Sequence, residues 1–340
     1  MRIIHVAPRY HPHIGGVEYV VKSVAERLAK MGHTVTVIAG EPNTDKPHEE
    51  EINGAEVIRW PTWSPSNAYH IPRHRNKLKK LLTDLAKEAD VIHIHSVHAI
   101  LTVYSGLLIP NHINAKLVIT PHYHGSGHTA TREIAWTIWR MYVKKLLKTA
   151  DVVHAVSNRE SNLIMKHYPE TKNKIIIIPN GVEEDVMNYK WQGQQSNYMV
   201  YAGRIEKYKR LELALQTAEE LGTKLLIIGQ GPYRKKLEKY VRNHYRDLAE
   251  LLEPQPREKY LELVSKARYA INPSKHEAYS IFIAEALAIG TPAIITKEIA
   301  ENLNAETQQL NEQLVIATKA PIKTWTQTIQ QYLKELYQES

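Results

Sequence analysis

Arg2-Ile3-Ile4-His5-Val6-Ala7, then Gly15-Gly16-Val17-Glu18, then Gly32 and Thr34-Val35-Thr36-Val37-Ile38-Ala39: these opening pieces decide the fold. The two apolar runs are rich in Val and Ile, which suit strands. Between them, apolar residues fall at 17, 20, 21, 24 and 28, the 3.6-residue stripe of a helix over Val17–Lys30. Gly32 stops that helix. Strand, turn, helix and strand make one βαβ unit. Strands apolar at nearly every position are buried on both faces, as in a parallel sheet covered by helices.

The same grammar runs on. Further strands are predicted at Ala55–Trp60, Asp90–His95, Lys116–Thr120, Asp151–Val156 and Lys174–Pro179. A polar stretch at Tyr189–Asn197 separates these from a second series: Tyr198–Ala202, Lys224–Ile228, Asp247–Leu252, Tyr269–Asn272, Ala293–Thr296 and Gln313–Ala317. Helices are predicted at Leu211–Leu221, Tyr233–Tyr245, Arg257–Ser265 and Ser280–Ile289. The fold class is therefore α/β, two doubly wound Rossmann-like domains facing across a cleft. The expected domains are 1–182 and 183–321, with an amphipathic helix at about 322–338 packing back on the first. A length of 340 residues fits two domains at roughly 150 each.

Composition narrows the chemistry. There is no Cys, which excludes disulfides, thiolate nucleophiles and iron–sulfur clusters. No apolar run approaches the ~20 residues of a membrane span, and the N-terminal run is too short for a signal peptide. A cytoplasmic protein is expected. The net charge of +8 lies wholly in the first half: residues 1–182 hold 23 basic and 15 acidic side chains, and 183–340 hold 21 of each. The basic half suits an anionic partner, such as the inner face of the cytoplasmic membrane, or it is a solvated face. Tyr69–Leu82 carries Arg73, Arg75, Lys77, Lys79 and Lys80 among apolar residues. Trp136, Trp139 and Tyr142 lie near Lys144, Lys145 and Lys148. Both segments suit anionic lipid, or are sheet-covering helices with charged outer faces. No DNA or RNA motif accompanies the charge, so no nucleic-acid partner is expected.

Ligands of doubly wound sheets bind beyond the carboxyl ends of strands, and the motifs fall there. Gly15-Gly16 opens the first helix, where backbone N–H groups favour an anion or hydroxyls. Gly203-Arg204 and Lys209 follow the first strand of the second series and bring a close backbone, a forked donor and a point charge suited to phosphate. Gly229 and Gly231 follow the next strand. Glu277-Ala278-Tyr279-Ser280-Ile281 leads into a helix bearing Glu285, with Ser280 as its predicted N-cap and Gly290 as its stop. In a continuous helix Glu277 and Glu285 would lie ~12 Å apart, too far for a hydrolase carboxylate pair, so separate roles are expected. His122 follows a strand and can donate to a hydroxyl or phosphate near neutral pH. His93-x-His95 and His122-x-His124 invite a zinc reading, but no carboxylate is spaced to complete the set, and no metal or cofactor is expected.

In order, these pieces resemble glycosyltransferase family 4, retaining sugar-nucleotide enzymes of the GT-B fold. The resemblance runs through Gly15-Gly16-Val17-Glu18, Asp90–His95, Thr120-Pro121-His122, Ser157 with Glu160, and Ile178-Pro179-Asn180-Gly181-Val182. It continues through Gly203-Arg204 with Lys209, Gly229-x-Gly231-Pro232, and Glu277-x7-Glu285 with Gly290 and Pro292. It implies a metal-independent hexosyltransferase that moves a sugar from a nucleoside-diphosphate donor to a glycan or lipid-linked acceptor. It implies that domain 1–182 binds the acceptor and 183–321 the donor. Arg204 and Lys209 would hold the diphosphate, Glu285 the ribose hydroxyls, Glu277 and the amides after it the sugar. His122 would touch the sugar, and Gly16 would lend a backbone contact. The chain departs from the family at Ala278 and Ser280, which narrow the space over the sugar, and at Arg210, where glycine is usual. Thr296–Gln313 has no glycine where the family has a Gly-rich loop. That departure also fits a weakened enzyme or non-catalytic partner subunit; an epimerase on the same fold is the other alternative.

Overall fold

A computed structural model describes every residue except 66–68, 110–113, 124, 126–129, 276, 278 and 338–340, and the side chains of 130–135. The chain forms two compact units, Met1–Pro179 with Trp325–Ser340, and Asn180–Thr324.

The first unit runs β1 (Arg2–Ala7), α1 (Gly16–Lys30), β2 (Thr34–Glu41), β3 (His48–Ile52), β4 (Ala55–Trp63), β5 (Ile71–Pro72), α2 (Arg75–Glu88) and β6 (Val91–His95). It continues with α3 (Ile100–Leu108), β7 (Lys116–Thr120), α4 (Ala130–Thr149), β8 (Val152–Ala155), α5 (Asn158–His167) and β9 (Ile175–Ile177). Its sheet order is β3-β4-β2-β1-β6-β7-β8-β9, with β5 on β4. The long strands are parallel; β3 and β5 pair antiparallel with β4. β3, His-Glu-Glu-Glu-Ile, is an exposed edge strand that apolar patterning does not reveal. Alternation along the strands feeds two cores. Ile4, Val6, Ile92 and Ile94 face α2, α3 and α4. Ile3, Ala7, Val35 and Val37 face α1.

The second unit runs β10 (Tyr198–Ala202), α6 (Leu211–Glu220), β11 (Lys224–Ile228), α7 (Arg234–His244), β12 (Ala249–Leu252), α8 (Arg257–Lys266) and β13 (Tyr269–Asn272). It continues with α9 (Ile281–Ile289), β14 (Ala293–Thr296), α10 (Lys297–Leu303), β15 (Glu306–Gln309) and β16 (Leu314–Lys319). Its sheet order is β12-β11-β10-β13-β14-β16-β15, parallel except for the last two strands. The glycine-free stretch is therefore not a bare loop. Thr296 caps α10 by accepting from the Ile299 N–H at 3.4 Å, and Asn304 ends it in the left-handed conformation that glycine would otherwise supply.

The chain then returns to the first unit as α11 (Trp325–Gln331) and a π-helical turn, Tyr332–Tyr337, rather than one uninterrupted α-helix. Trp325, Ile329, Tyr332, Leu336 and Tyr337 are buried beside Val20, Val24 and Leu28 of α1. Trp325 Nε1 donates to Tyr19 Oη at 3.1 Å.

Candidate functional site

In each sheet the strand order reverses at one place, and crevices open there. In the second unit β10 has β11 on one side and β13 on the other. The loops leaving β10 and β13 meet in an ion pair: Lys209 Nζ lies 2.5 Å from Glu277 Oε2. Lys209 is 8% exposed. Burial works against its charge, but Glu277 and Tyr208 outweigh that and hold its pKa above the ordinary lysine value. The Tyr208 ring lies under the ammonium, 5.0 Å from its centroid. The Glu277 backbone is fixed from α10: its N–H donates to Glu298 Oε1 at 3.3 Å, and its carbonyl accepts from Asn302 Nδ2 at 2.6 Å. The segment lacking glycine thus braces the glutamate.

Arg204 stands apart from that buried pair. Its side chain is 54% exposed and pairs with Glu206 at 2.8 Å, while its carbonyl accepts from Tyr201 Oη at 2.9 Å. Arg210, where glycine is usual, takes the left-handed conformation (φ 55°) at the N-terminus of α6. Its guanidinium donates to Gln313.

Gly203, Gly229 and Gly231 lie where the loops after β10 and β11 meet. Gly203 N–H donates to Ile228 O at 3.0 Å, and Ile205 N–H to Gln230 O at 2.8 Å, so the loops after β10 and β11 are zipped together. Gly229 has φ 146°, and a Cβ there would overlap the Gly203 carbonyl; one on Gly231 would overlap the Ile205 backbone. These two glycines serve loop-to-loop approach.

Glu285 lies on α9 and is 4% exposed. Arg257 Nη1 donates to its Oε1 and Tyr260 Oη to its Oε2, each at 2.6 Å. Arg257 also grips Asp185 with Nε and Nη2, at 2.9 and 2.8 Å. Burial lifts Glu285 above the ordinary carboxylate range although Arg257 and Tyr260 pull it down. Glu277 and Glu285 therefore have different partners. Ser280 occupies the N-cap position, but its hydroxyl accepts from Asn272 Nδ2 at 3.0 Å and makes no capping bond. Tyr279 is buried, and Ile281 begins α9, whose first-turn amides have no intrahelical acceptor. Ala278 lies outside the described residues.

The first unit offers a second cluster. Gly15 is the N-cap of α1, and the Glu18 carboxylate folds over it, paired with Arg9 at 3.1 Å. Gly16 is open. His122 follows β7 with φ 49°. Its Nε2 is enclosed and meets no partner among the described residues, and burial pushes its pKa down to about 3. Beside it, Glu160 accepts from the Tyr123 N–H at 2.6 Å and the Val156 N–H at 2.8 Å, tying the loops after β7 and β8 together. Burial pushes Glu160 up to about 7 despite those amides.

Behind His122 lies a core of histidines. His5 pairs with His93 across β1 and β6. The ring nitrogens of His5, His93 and His95 come within 4.8 Å of one another, a possible metal set unseen in the sequence because His5 lies on another strand. Hydrogen bonds engage those rings. His154 Nε2 must donate to Ile178 O at 2.8 Å, so its Nδ1 accepts from Thr120 at 2.7 Å. His93 Nε2 then donates to Thr120 at 2.6 Å, and its Nδ1 accepts from Tyr337 Oη at 2.7 Å. Both nitrogens of His93 are taken, and His5 Nδ1 and His95 Nε2 share a bond at 3.0 Å. The cluster acts as a polar brace between strands and the C-terminal turn.

Asp185, Arg257, Tyr260, Glu298 and Asn302 were not anticipated. Only the spacing of Arg257 and Tyr260, one turn apart on α8, hinted at a shared face.

A buried lysine–glutamate pair thus lies at the switch point of one doubly wound unit, in a chain with two such units, where folds of this kind place their ligands. Comparison with known proteins makes this specific. Residues 14–186 match the profile of Glycosyltransferase Family 4, and residues 187–337 that of Glycosyl transferases group 1. The chain belongs to glycosyltransferase family 4, the retaining GT-B group that uses nucleotide-sugar donors. It is 25% identical over 317 residues to the GDP-mannose:cellobiosyl-diphosphopolyprenol alpha-mannosyltransferase of Xanthomonas oryzae pv. oryzae, covering 87% of this chain and 78% of that one. It is 24% identical over 338 residues to the glycogen synthase of Mycobacterium tuberculosis, covering 86% and 77%. The Anabaena protein Alr3699/HepE, solved with UDP and glucose, shares the fold at a TM-score of 0.67 with 14% identity, over 99% and 90% of the two chains. Among the described residues no helix is long and apolar enough to cross a membrane.

Proposed function

We propose that the protein transfers a hexose from a nucleoside-diphosphate sugar to a glycan or lipid-linked acceptor, with retention and without a metal ion. The observation that carries this reading is the Lys209–Glu277 pair at the switch point of the second sheet. The Asn180–Thr324 unit is the donor-binding one in this reading, and the first unit receives the acceptor.

Cleavage of the sugar–phosphate bond leaves negative charge on the diphosphate. Lys209, already charged and fixed, stabilises that charge more in the transition state than in the ground state. Arg204, exposed on the same loop, swings onto the phosphates. The first-turn amides of α9, which have no intrahelical acceptor, add their partial positive charge. Glu277, released in part from Lys209, accepts from sugar hydroxyls. Each oxygen of Glu285 keeps a lone pair after bonding Arg257 or Tyr260, and these take the ribose hydroxyls. His122, neutral at working pH, keeps a ring N–H that serves as a donor. A leaving phosphate oxygen takes the acceptor proton on the same face, which preserves the anomeric configuration.

The test is thermal stabilisation by UDP, GDP, ADP, CMP and dTDP, with Lys209→Ala and Arg204→Ala as controls. A ligand at ~100 times its Kd adds about 2.7 kcal/mol. One diphosphate should stabilise the wild type selectively and lose its effect in Lys209→Ala. A folded wild type indifferent to all five overturns the proposal. Product analysis with the matching sugar nucleotide then separates glycan from lipid-linked acceptors; the two relatives above carry names of each kind.

A further inference from the structure

α4 has two opposed faces. Val143, Leu146 and Leu147 are fully buried, and Trp136 and Trp139 pack against the same core. Trp139 Nε1 donates to Val97 O at 2.8 Å, and the Trp136 ring stacks on His98 with centroids 4.9 Å apart. The two tryptophans that the sequence offered to a lipid surface are therefore anchors of the fold. The outward stripe is a different set: Ile138, Met141 and Tyr142 are 61%, 71% and 51% exposed, and Lys145 and Lys148 continue the stripe. Positions 138, 141, 142, 145 and 148 fall on one side of a helix. Three large apolar side chains, contiguous and wet, next to lysines, are not what a solvated helix face carries.

The neighbours extend the patch. α2, α3 and α4 all pack on one side of the first sheet, through Leu78, Leu101 and Val143 among others, so their outer faces form one layer. α2 turns Arg75, Lys77, Lys79 and Lys80 to solvent. Arg75 lies over the half-buried Tyr104 of α3, 5.6 Å from its ring. The exposed acids of α2 come in its last three turns and are paired, Asp84 with Lys87 at 3.1 Å and Glu88 with Arg2. Lys144 lies 4.0 Å from Glu170.

We infer that this layer docks on an anionic lipid surface, with Ile138, Met141 and Tyr142 entering the headgroup region and Lys145, Lys148 and the α2 cations meeting the phosphates. An apolar stripe flanked by cations matches that partner: the apolar part gains by leaving water and the cations gain by approaching a negative surface. The inference deepens the lipid-linked acceptor reading without depending on it, since none of these residues belongs to the donor site.

The test is flotation of the purified chain with vesicles of phosphatidylcholine, alone or with about one third phosphatidylglycerol, in the absence of nucleotide. Wild type should float with the anionic vesicles only, and less so as salt rises. Ile138→Glu with Met141→Glu, and separately Lys145→Glu with Lys148→Glu, should each weaken partition at least about ten-fold. Both variants should keep the wild-type thermal midpoint and its nucleotide response. No flotation of wild type, or equal flotation of both variants, overturns the inference while leaving the transferase reading intact. A wild-type dimer in solution that the Ile138→Glu/Met141→Glu pair dissociates, with no vesicle binding, also overturns it and assigns the stripe to a second copy. Loss of the nucleotide response in the wild type touches only the donor-site reading.

Discussion

Mild acid should destabilise the first unit, and the magnitude follows from its histidines. Burial pushes His5 and His122 down to about 3 and His154 down to about 4, and holds His93 and His95 well below the ordinary value of 6.5. Below pH 6.5 the unfolded chain takes up a proton at each of these imidazoles and the folded chain does not. The stability they permit is thus complete above 6.5 and falls with pH down toward their folded values. Each imidazole costs slightly more than ~1 kcal/mol between pH 7 and 5.5, and five cost about 6. Glu160 acts in the opposite direction. Its folded pKa of about 7 exceeds the ordinary 4.5, so the folded state binds its proton first as pH falls, which returns about 2 kcal/mol. The net loss is about 4 kcal/mol, a large part of the ~5–15 kcal/mol that holds a typical domain folded. Five of the six tryptophans belong to the first unit, so fluorescence reports chiefly on it. Urea midpoints by tryptophan emission should fall steeply from pH 7 to 5.5, and His5→Asn should reduce the slope by about one proton. A midpoint that is flat or rises over that interval refutes the reasoning, as would histidine resonances of the cluster titrating near 6.5.

Three further outcomes concern the second unit. Gly229→Ala must leave φ 146° or separate two zipped loops, and should cost about 2 kcal/mol in urea unfolding; a change under about 0.5 kcal/mol would show that the loops part easily. Lys209→Met should lower turnover about 10²–10³-fold, and adding Glu277→Gln should restore stability without restoring turnover, measured as sugar transfer beside thermal midpoints. Recovery of activity in the double variant would make Lys209 a structural partner only. Arg257→Gln removes the charge that pulls Glu285 down, so Glu285 protonates at higher pH. Nucleotide affinity by calorimetry should then begin to weaken at higher pH in the variant than in wild type; coincident pH profiles would separate Arg257 from the ribose site.

What could be read beforehand was whatever a run of side chains announces by itself. β1, β7, β10, β11, β13 and β14 match the expected strands residue for residue because buried parallel strands are apolar almost throughout. β3 and β15 escaped notice. His48–Ile52 and Glu306–Gln309 are polar and exposed, and they are strands because a neighbour's backbone recruits them. α10 is only seven residues long and ends on Asn304 rather than glycine, so neither its length nor its stop stood out. At the candidate site, strand ends point to Lys209, Glu277 and His122, and the helix that follows β13 points to Glu285. The hydrogen-bond partners of these residues did not show, because Arg257 and Asn302 reach Glu285 and Glu277 from other elements of the chain. The roles of Gly229 and Gly231 needed the neighbouring loop to be seen.

The first unit is closed by residues that follow the whole second unit in sequence. Trp325, Tyr332 and Tyr337 complete the core under α1, and Tyr337 terminates the hydrogen-bond chain through His93 and His154. During synthesis the first 179 residues leave the ribosome without that cover, and the Asn180–Thr324 unit, continuous in sequence, is made in between. The continuous unit is thus free to fold while translation proceeds, and the discontinuous one has to wait with a histidine-lined trough and the apolar flank of α1 open to water. A stalled or prematurely stopped chain lacking the final turns would present a sticky, incompletely packed surface of the kind that chaperones and proteases recognise.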